Sequence, residues 1–315
     1  FPRIRLRAGP DSGGALARHT GAVDSEGEIV ETNMSGNDTT EAGWPASAPS
    51  EPRIDLEPGR AVLERVLVGV DSRPESLEAA RQAEALREPS GSLAVVTALE
   101  LASSAQAGWA ASEAATHLEA DAHAALAAAK EVLADATFRL VEGRADQVLM
   151  AEAESTEATL VAVGSHEISR AVGIALGSVA TMLLHSAPCS VLVARGRPPH
   201  EDFPRTIVVG VDGSPESELA AAVAFRLGER FGVEVWPIAA RGGKDFDLAA
   251  VDRIATNVLV EDSSPVDALV AGAGRADLLV VGNRGLHGVR ALGSVSERVA
   301  HKAPCSVLVV RRLAP

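Results

Sequence analysis

Two glycine-rich stretches carry the residue types that hold a phosphate. Near the C-terminus the chain reads Gly282-Asn283-Arg284-Gly285, then seven residues, then Gly293-Ser294-Val295. Glycines lack a Cβ, so backbone N–H groups can come close to an anion. Gly293 and Ser294 open a helical stretch, where unpaired N–H groups and the positive end of the helix dipole face the same spot. That is an anion site, to which the Ser294 hydroxyl adds a hydrogen bond and Arg284 and Arg290 add charge. An earlier stretch, Gly164-Ser165-His166-Glu167 followed after nine residues by Gly177-Ser178-Val179, has the same layout, with a carboxylate where the second glycine belongs. The competing reading is that these glycines only make tight strand-to-helix turns. Asp71 and Asp212 end the apolar runs VLVGV and IVVGV, which places two carboxylates at strand ends.

These residues recur because the chain repeats itself, and repeats are the first thing to settle about an architecture. ERVLVGVDSRPESLEAA (64–80) matches RTIVVGVDGSPESELAA (205–221), and LGSVATMLLHSAPCSVLVAR (176–195) matches LGSVSERVAHKAPCSVLVVR (292–311). The offset between copies is 141 at Asp71/Asp212, 118 at Gly164/Gly282 and 116 at Ser178/Ser294. Copy two therefore lacks 23 residues between its first strand and its glycine loop, and two more inside that loop. The large gap falls on the helical run SEAATHLEADAHAALAAAKEVLAD (112–135), for which copy two has only KDFDLAAVDRIAT (244–256). A shortened helix is expected there.

Short β-branched runs alternate with alanine-rich helical runs. In copy one the strands are expected at 66–70, 92–99, 138–142, 159–164 and 190–194, with Ser72 as N-cap of the first helix and Pro74 in its first turn. In copy two they fall on IVVGVD, VEVWPIA, NVLVE, LLVVG and SVLVV. Continuous apolar strands joined by helices predict α/β architecture: two tandem Rossmann-like domains, each a five-stranded parallel sheet with helices on both faces. In such sheets ligands sit outside the carboxyl ends of the strands, where the strand order reverses. That rim holds Asp71, Asp212, Gly164 and Gly282.

Composition narrows the function. A formal charge of −14 argues against a nucleic-acid binder. No stretch has the roughly 18 apolar residues of a membrane span. Two cysteines, Cys189 and Cys305, make neither a disulfide framework nor a zinc site, and buried thiols are expected. His185 and His301 occupy equivalent positions, which predicts a shared packing or surface role; Glu142 and Glu261 read as rim acids, and Trp109 as a cover for the rim or a contact to the other domain. Residues 1–60, rich in Ser, Pro, Gly and acid, are expected to be a disordered tail, followed by domains at 61–197 and 203–313. Met34 inside that tail raises the expectation that translation starts there. The opening residues have no apolar leader core, so a cytoplasmic chain is expected. No P-loop, GxSxG, HExxH or CxxC motif occurs.

The strand-ending GVD, the G-x2-G spacing, the later GSV and the APCSVLV ending resemble the universal stress protein family, across about residues 62–315. The resemblance implies ATP, or another adenine nucleotide, as ligand, bound by a G-x2-G-x9-G-(S/T) loop. It implies that Asp71 and Asp212 lie near adenine and ribose. Gly282, Gly285, Gly293 and Ser294 then form the phosphate loop of copy two, with Arg284 and Val295 beside it. Gly164, Gly177, Ser178 and Val179 are their counterparts in copy one. It also implies that the two copies pack like the subunits of a family dimer, with further homo-oligomerisation open, and that the protein regulates by binding and is not an enzyme. Copy one departs from the pattern at Glu167, whose charge would face phosphates; copy two has every glycine but a spacer two residues short. Copy two ranks first for nucleotide binding. The alternative is a tandem scaffold that binds no nucleotide and acts through protein contacts.

Overall fold

The computed structural model describes residues 49–101, 111–165, 176–196, 202–242, 246–283 and 295–312. After a short helix α1 (Glu57–Ala61), copy one runs β1 (Arg65–Gly69), α2 (Pro74–Leu86), β2 (Ser92–Leu99), α3 (Ala111–Val132), β3 (Thr137–Glu142), α4 (Ala145–Ser155), β4 (Leu160–Gly164), α5 (Ser178–Ser186) and β5 (Ser190–Ala194). Copy two runs β6 (Ile207–Gly210), α6 (Pro215–Phe231), β7 (Val235–Ala240), α7 (Leu248–Asp252), β8 (Leu259–Glu261), α8 (Pro265–Ala273), β9 (Leu278–Gly282), α9 (Val295–Lys302) and β10 (Ser306–Val310). All ten expected strands are present. The shortened helix of copy two is α7, five residues against the 22 of α3.

Each half is a parallel sheet, in the orders β3-β2-β1-β4-β5 and β8-β7-β6-β9-β10. Alternation along β1 explains the two helical layers. Val66, Val68 and Val70 share a core with Ala80, Ala83 and Leu86 of α2. Gly69, pointing the other way, leaves room for Leu149 of α4, which a Cβ would meet at 2.8 Å. The expected N-cap at Ser72 is instead Arg73, with Pro74 opening the helix. The turn is closed from other residues: the Asp71 carboxylate accepts the Arg73 N–H (3.0 Å) and Ser76 Oγ accepts the Asp71 N–H (3.1 Å).

The two halves are not separate sheets. β5 and β10 pair antiparallel, Leu192 opposite Leu308, and join them into one ten-stranded sheet. Leu192 and Leu308 are equivalent residues, so a local two-fold relation passes between them. The polar contacts obey it. Arg195 N–H donates to Ser306 Oγ (2.9 Å) and Arg311 N–H to Ser190 Oγ (3.0 Å). Arg195 reaches the carbonyls of Ala300, in the last turn of α9, and Cys305, beyond it, while Arg311 reaches those of Leu184, in the last turn of α5, and Ala187, just beyond it. Each copy thus caps the last helix of the other, supplying donors and positive charge where carbonyls lack partners. The expected pairing of the copies is therefore built into the chain.

One boundary moves. The disordered tail was expected to run to residue 60, yet residues 49–61 lie along copy two. Pro52 is bridged to Ala255, and Arg53 N–H donates to the Ile254 carbonyl at 2.8 Å. Ile54 and Leu56 pack against the core, which gives this stretch the apolar anchors that its Pro- and acid-rich composition hides. The expectations for Met34 and for residues 1–48 lie outside the described residues.

Candidate functional site at the carboxyl rim

The site in copy one forms where the strand order reverses, between β1 and β4. A cleft of about 220 Å³ opens there. Its walls are the β1–α2 turn (Asp71, Arg73), the end of β4 (Gly164, Ser165) and the start of α5 (Gly177, Ser178, Val179), with Leu149 behind. Thus Asp71, Gly164, Gly177, Ser178 and Val179, picked from the sequence, come together in one place.

Helix α5 begins at the N-cap Gly177, and no side chain caps it. The first-turn N–H groups of a helix have no intrahelical acceptor, so they and the dipole offer positive potential to the cleft. Ser165, 1% exposed, lines the same cleft, and among the described residues its Oγ has no hydrogen-bond partner. A buried hydroxyl without a partner is uncommon, because leaving it unsatisfied costs about 1–3 kcal/mol. Opposite lies a charge pair, with Arg73 Nη1 3.6 Å from Asp71 Oδ2, both about half exposed. Copy two has Ser214 at the position of Arg73.

Gly164 has a second reason to be glycine. A Cβ there would stand 2.6 Å from the carbonyl carbon of Glu75 in the first turn of α2. At Gly282 a Cβ would stand 2.4 Å from the equivalent Glu216 oxygen. Close approach of the first helix to the fourth strand therefore requires both glycines, ligand or not. The packing reading holds at these two positions, and the ligand reading now rests on Gly177, Ser178 and Ser165.

In copy two, Asp212 lies in the turn just after β6, and its Oδ1 accepts Ser214 N–H (3.0 Å) and Oγ–H (2.5 Å). Gly282 ends β9 and Val295 starts α9. Arg284, Gly285, Gly293 and Ser294 lie outside the described residues, as do His166, Glu167, Arg290 and Trp109. Ser165 and Arg73 were not singled out from the sequence. Alternation along β4 is the signal for Ser165: it falls on the side of Val163, toward α4.

The remaining candidates behave as packing residues. His185 Nε2 is 3.0 Å from Glu297 Oε1, across the two last helices. His301, equivalent to His185, is held below the usual histidine range by burial, with Glu297 opposing the shift and the Arg195 charge adding to it. Cys189 and Cys305 are buried and not joined in a disulfide, and burial pushes the Cys189 thiol up to about 12. Among the described residues no group of three or more His, Cys, Asp or Glu could hold a metal ion, and no helix is long and apolar enough to cross a membrane.

A duplicated, doubly wound parallel sheet with its cleft at the strand-order reversal defines an α/β protein of the Rossmann-like class. The sequence matches the universal stress protein family over residues 63–195 and 239–311. It is 33% identical over 286 residues to a universal stress protein of Mycolicibacterium smegmatis, covering 78% of this chain and 96% of that one. A universal stress protein of Mycobacterium tuberculosis is 35% identical over 190 residues, which covers 50% of this chain and 63% of that relative. Among solved structures, a universal stress protein from Archaeoglobus fulgidus superposes with a TM-score of 0.62 at 19% identity, covering 82% of this chain and 98% of that one. The chain belongs to the universal stress protein family.

Proposed function

We propose that this protein is a regulatory binder of an adenine nucleotide, ATP foremost, and that copy one's cleft is a working site; copy two, which ranks first by sequence, has its loop residues Arg284, Gly285, Gly293 and Ser294 outside the described residues. The observation that carries this reading is the uncapped start of α5 facing a cleft that also holds the unpartnered Ser165 hydroxyl. A phosphate there would accept from the first-turn N–H groups and from Ser165 Oγ. The Asp71 carboxylate supplies an acceptor at the other wall. Backbone N–H groups, hydroxyls and an ion pair hold and orient a ligand, so we read the role as binding without turnover.

Helix α5 can pass the bound state on. Its first turn lines the cleft, and the carbonyls at its other end are held by Arg311 of copy two. A nucleotide that pulls on the first turn favours one position of α5, and a ligand shifts a population only through such a difference between states. The output is then a change at the junction of the copies, read by a protein partner.

Photolabelling of the full chain with an azido-adenine nucleotide tests the site. Labelled peptides are expected from 69–76 or 164–180, with label competed by ATP. Label confined to other regions would contradict the assignment. The scaffold alternative draws on Gly164 and Gly282, which packing alone explains; it predicts no competed label at all.

A further inference from the structure

Copy two lacks the residues that give copy one its long helix α3, and residues 49–61, which precede copy one in sequence, occupy the flank of copy two. Gly59 of α1 lies so close to α6 that a Cβ would stand 2.7 Å from the Ala222 backbone. Ile54, Leu56, Val62 and Leu63 join the core that contains Val251, Ile254 and Ala255. The backbones are stitched together: Glu51 N–H donates to Thr256 Oγ1, and Thr256 N–H to the Glu51 carbonyl, each at 2.8 Å. Arg53 holds the end of α7, its Nη1 donating to the Asp252 carbonyl at 2.8 Å. An arginine at a helix C-terminus satisfies a carbonyl that has no intrahelical partner.

Helix α7 in turn presses on the turn after β6. A Cβ at Gly213 would lie 2.4 Å from Ala250 Cβ, and Gly213 has φ +80°, a conformation that favours glycine. Gly213 directly follows Asp212. Copy one has Ser72 at that position.

We propose that residues 49–61 are a positioning arm: they stand in for the helix that copy two lacks and, through α7, fix the turn that presents Asp212. The functional meaning of that turn rests on the nucleotide reading above; the mechanical claim does not, because it is measured on the unliganded protein.

Hydrogen exchange on the full chain tests it, comparing wild type with Arg53→Ala, Arg53→Lys and Gly59→Val. In Arg53→Ala, amides of 247–257 and of 211–214 are expected to exchange about tenfold faster, as local opening does. Amides of β1, β2 and β3 are expected at wild-type rates. Arg53→Lys, which keeps a donor, is expected to retain most of the protection. Gly59→Val, which forces α1 off α6, is expected to reproduce the Ala pattern more strongly. The proposal is overturned by unchanged exchange, by faster exchange across both copies alike, by an effect that stops at 247–257 and spares 211–214, or by Lys behaving like Ala. A nucleotide titration that fails while this pattern appears removes the ligand reading and leaves the arm.

Discussion

Gly164 and Gly177 look alike in the sequence and do different things. Gly164 gives way to the backbone of α2, whereas Gly177 leaves the start of α5 open. Gly164→Ala is expected to destabilise the fold by about 1–3 kcal/mol, since the Glu75 carbonyl cannot move without the helix. A denaturant midpoint measures this, and Gly282→Ala should behave the same way. Gly177→Asp separates binding from folding. Aspartate is a favoured N-cap, so the melting temperature should hold or rise, while a carboxylate at the anion site should weaken ATP binding by about tenfold or more. A wild-type affinity in a folded Gly177→Asp protein would remove α5 from the site. At this scale the sequence was half legible. Spacing picked out Asp71, Gly164, Gly177 and Ser178, which line one cleft, but it could not separate Gly164, held by packing, from Gly177, which faces the cleft. Ser165 became informative only once its burial was known.

Elements hold the copies together through charged side chains at helix ends. Arg311 donates to carbonyls at the C-terminal end of α5, and Arg311→Ala should cost about 2 kcal/mol by leaving them unsatisfied. Urea titration checks this, with Arg195→Ala as the symmetric counterpart. A second contact has no counterpart among the described residues. Glu88, its side chain 5% exposed, accepts from Arg226 Nε at 2.6 Å, and Arg230 donates to the carbonyls of Ala85, Leu86 and Arg87 at the end of α2. The hydrogen-bonded Arg226 guanidinium holds the Glu88 carboxyl below its usual range. A lowered folded-state value means that this stability is present above the unfolded value, about 4.3, and is lost as pH falls toward the folded value. Glu88→Gln should therefore flatten the acid limb of the stability profile below about pH 4.3 and leave its slope near neutrality unchanged. Arg226→Ala, which strands the carboxylate, should cost about 3 kcal/mol at neutral pH. The strands and helices themselves were legible from periodicity. These clamps were not, because they join residues 105 to 145 positions apart whose partners are mostly backbone carbonyls.

The compact unit spanning Ser47–Pro315 is built on one sheet made from two copies. Tandem α/β halves followed from the repeat, and the missing 23 residues correctly placed the short α7. The antiparallel seam at Leu192 and Leu308 did not follow from strand patterning, because SVLVA and SVLVV read as buried whatever covers them. Composition makes residues 49–61 read as tail, because their Pro and acid content outweighs the apolar anchors Ile54 and Leu56. A seam of this kind predicts cooperative unfolding: exchange in β2 and in β7 should respond to denaturant with one common midpoint, and two separated midpoints would show that the halves unfold independently. The central claim is that a nucleotide binds at the start of α5, and calorimetric titration of ATP into nucleotide-stripped full chain, wild type beside Gly177→Asp, tests it most directly. The account predicts micromolar binding, about −8 kcal/mol, that is lost or sharply weakened in the folded variant. No heat at millimolar ATP from a folded wild-type protein, or equal binding by both proteins, would contradict it.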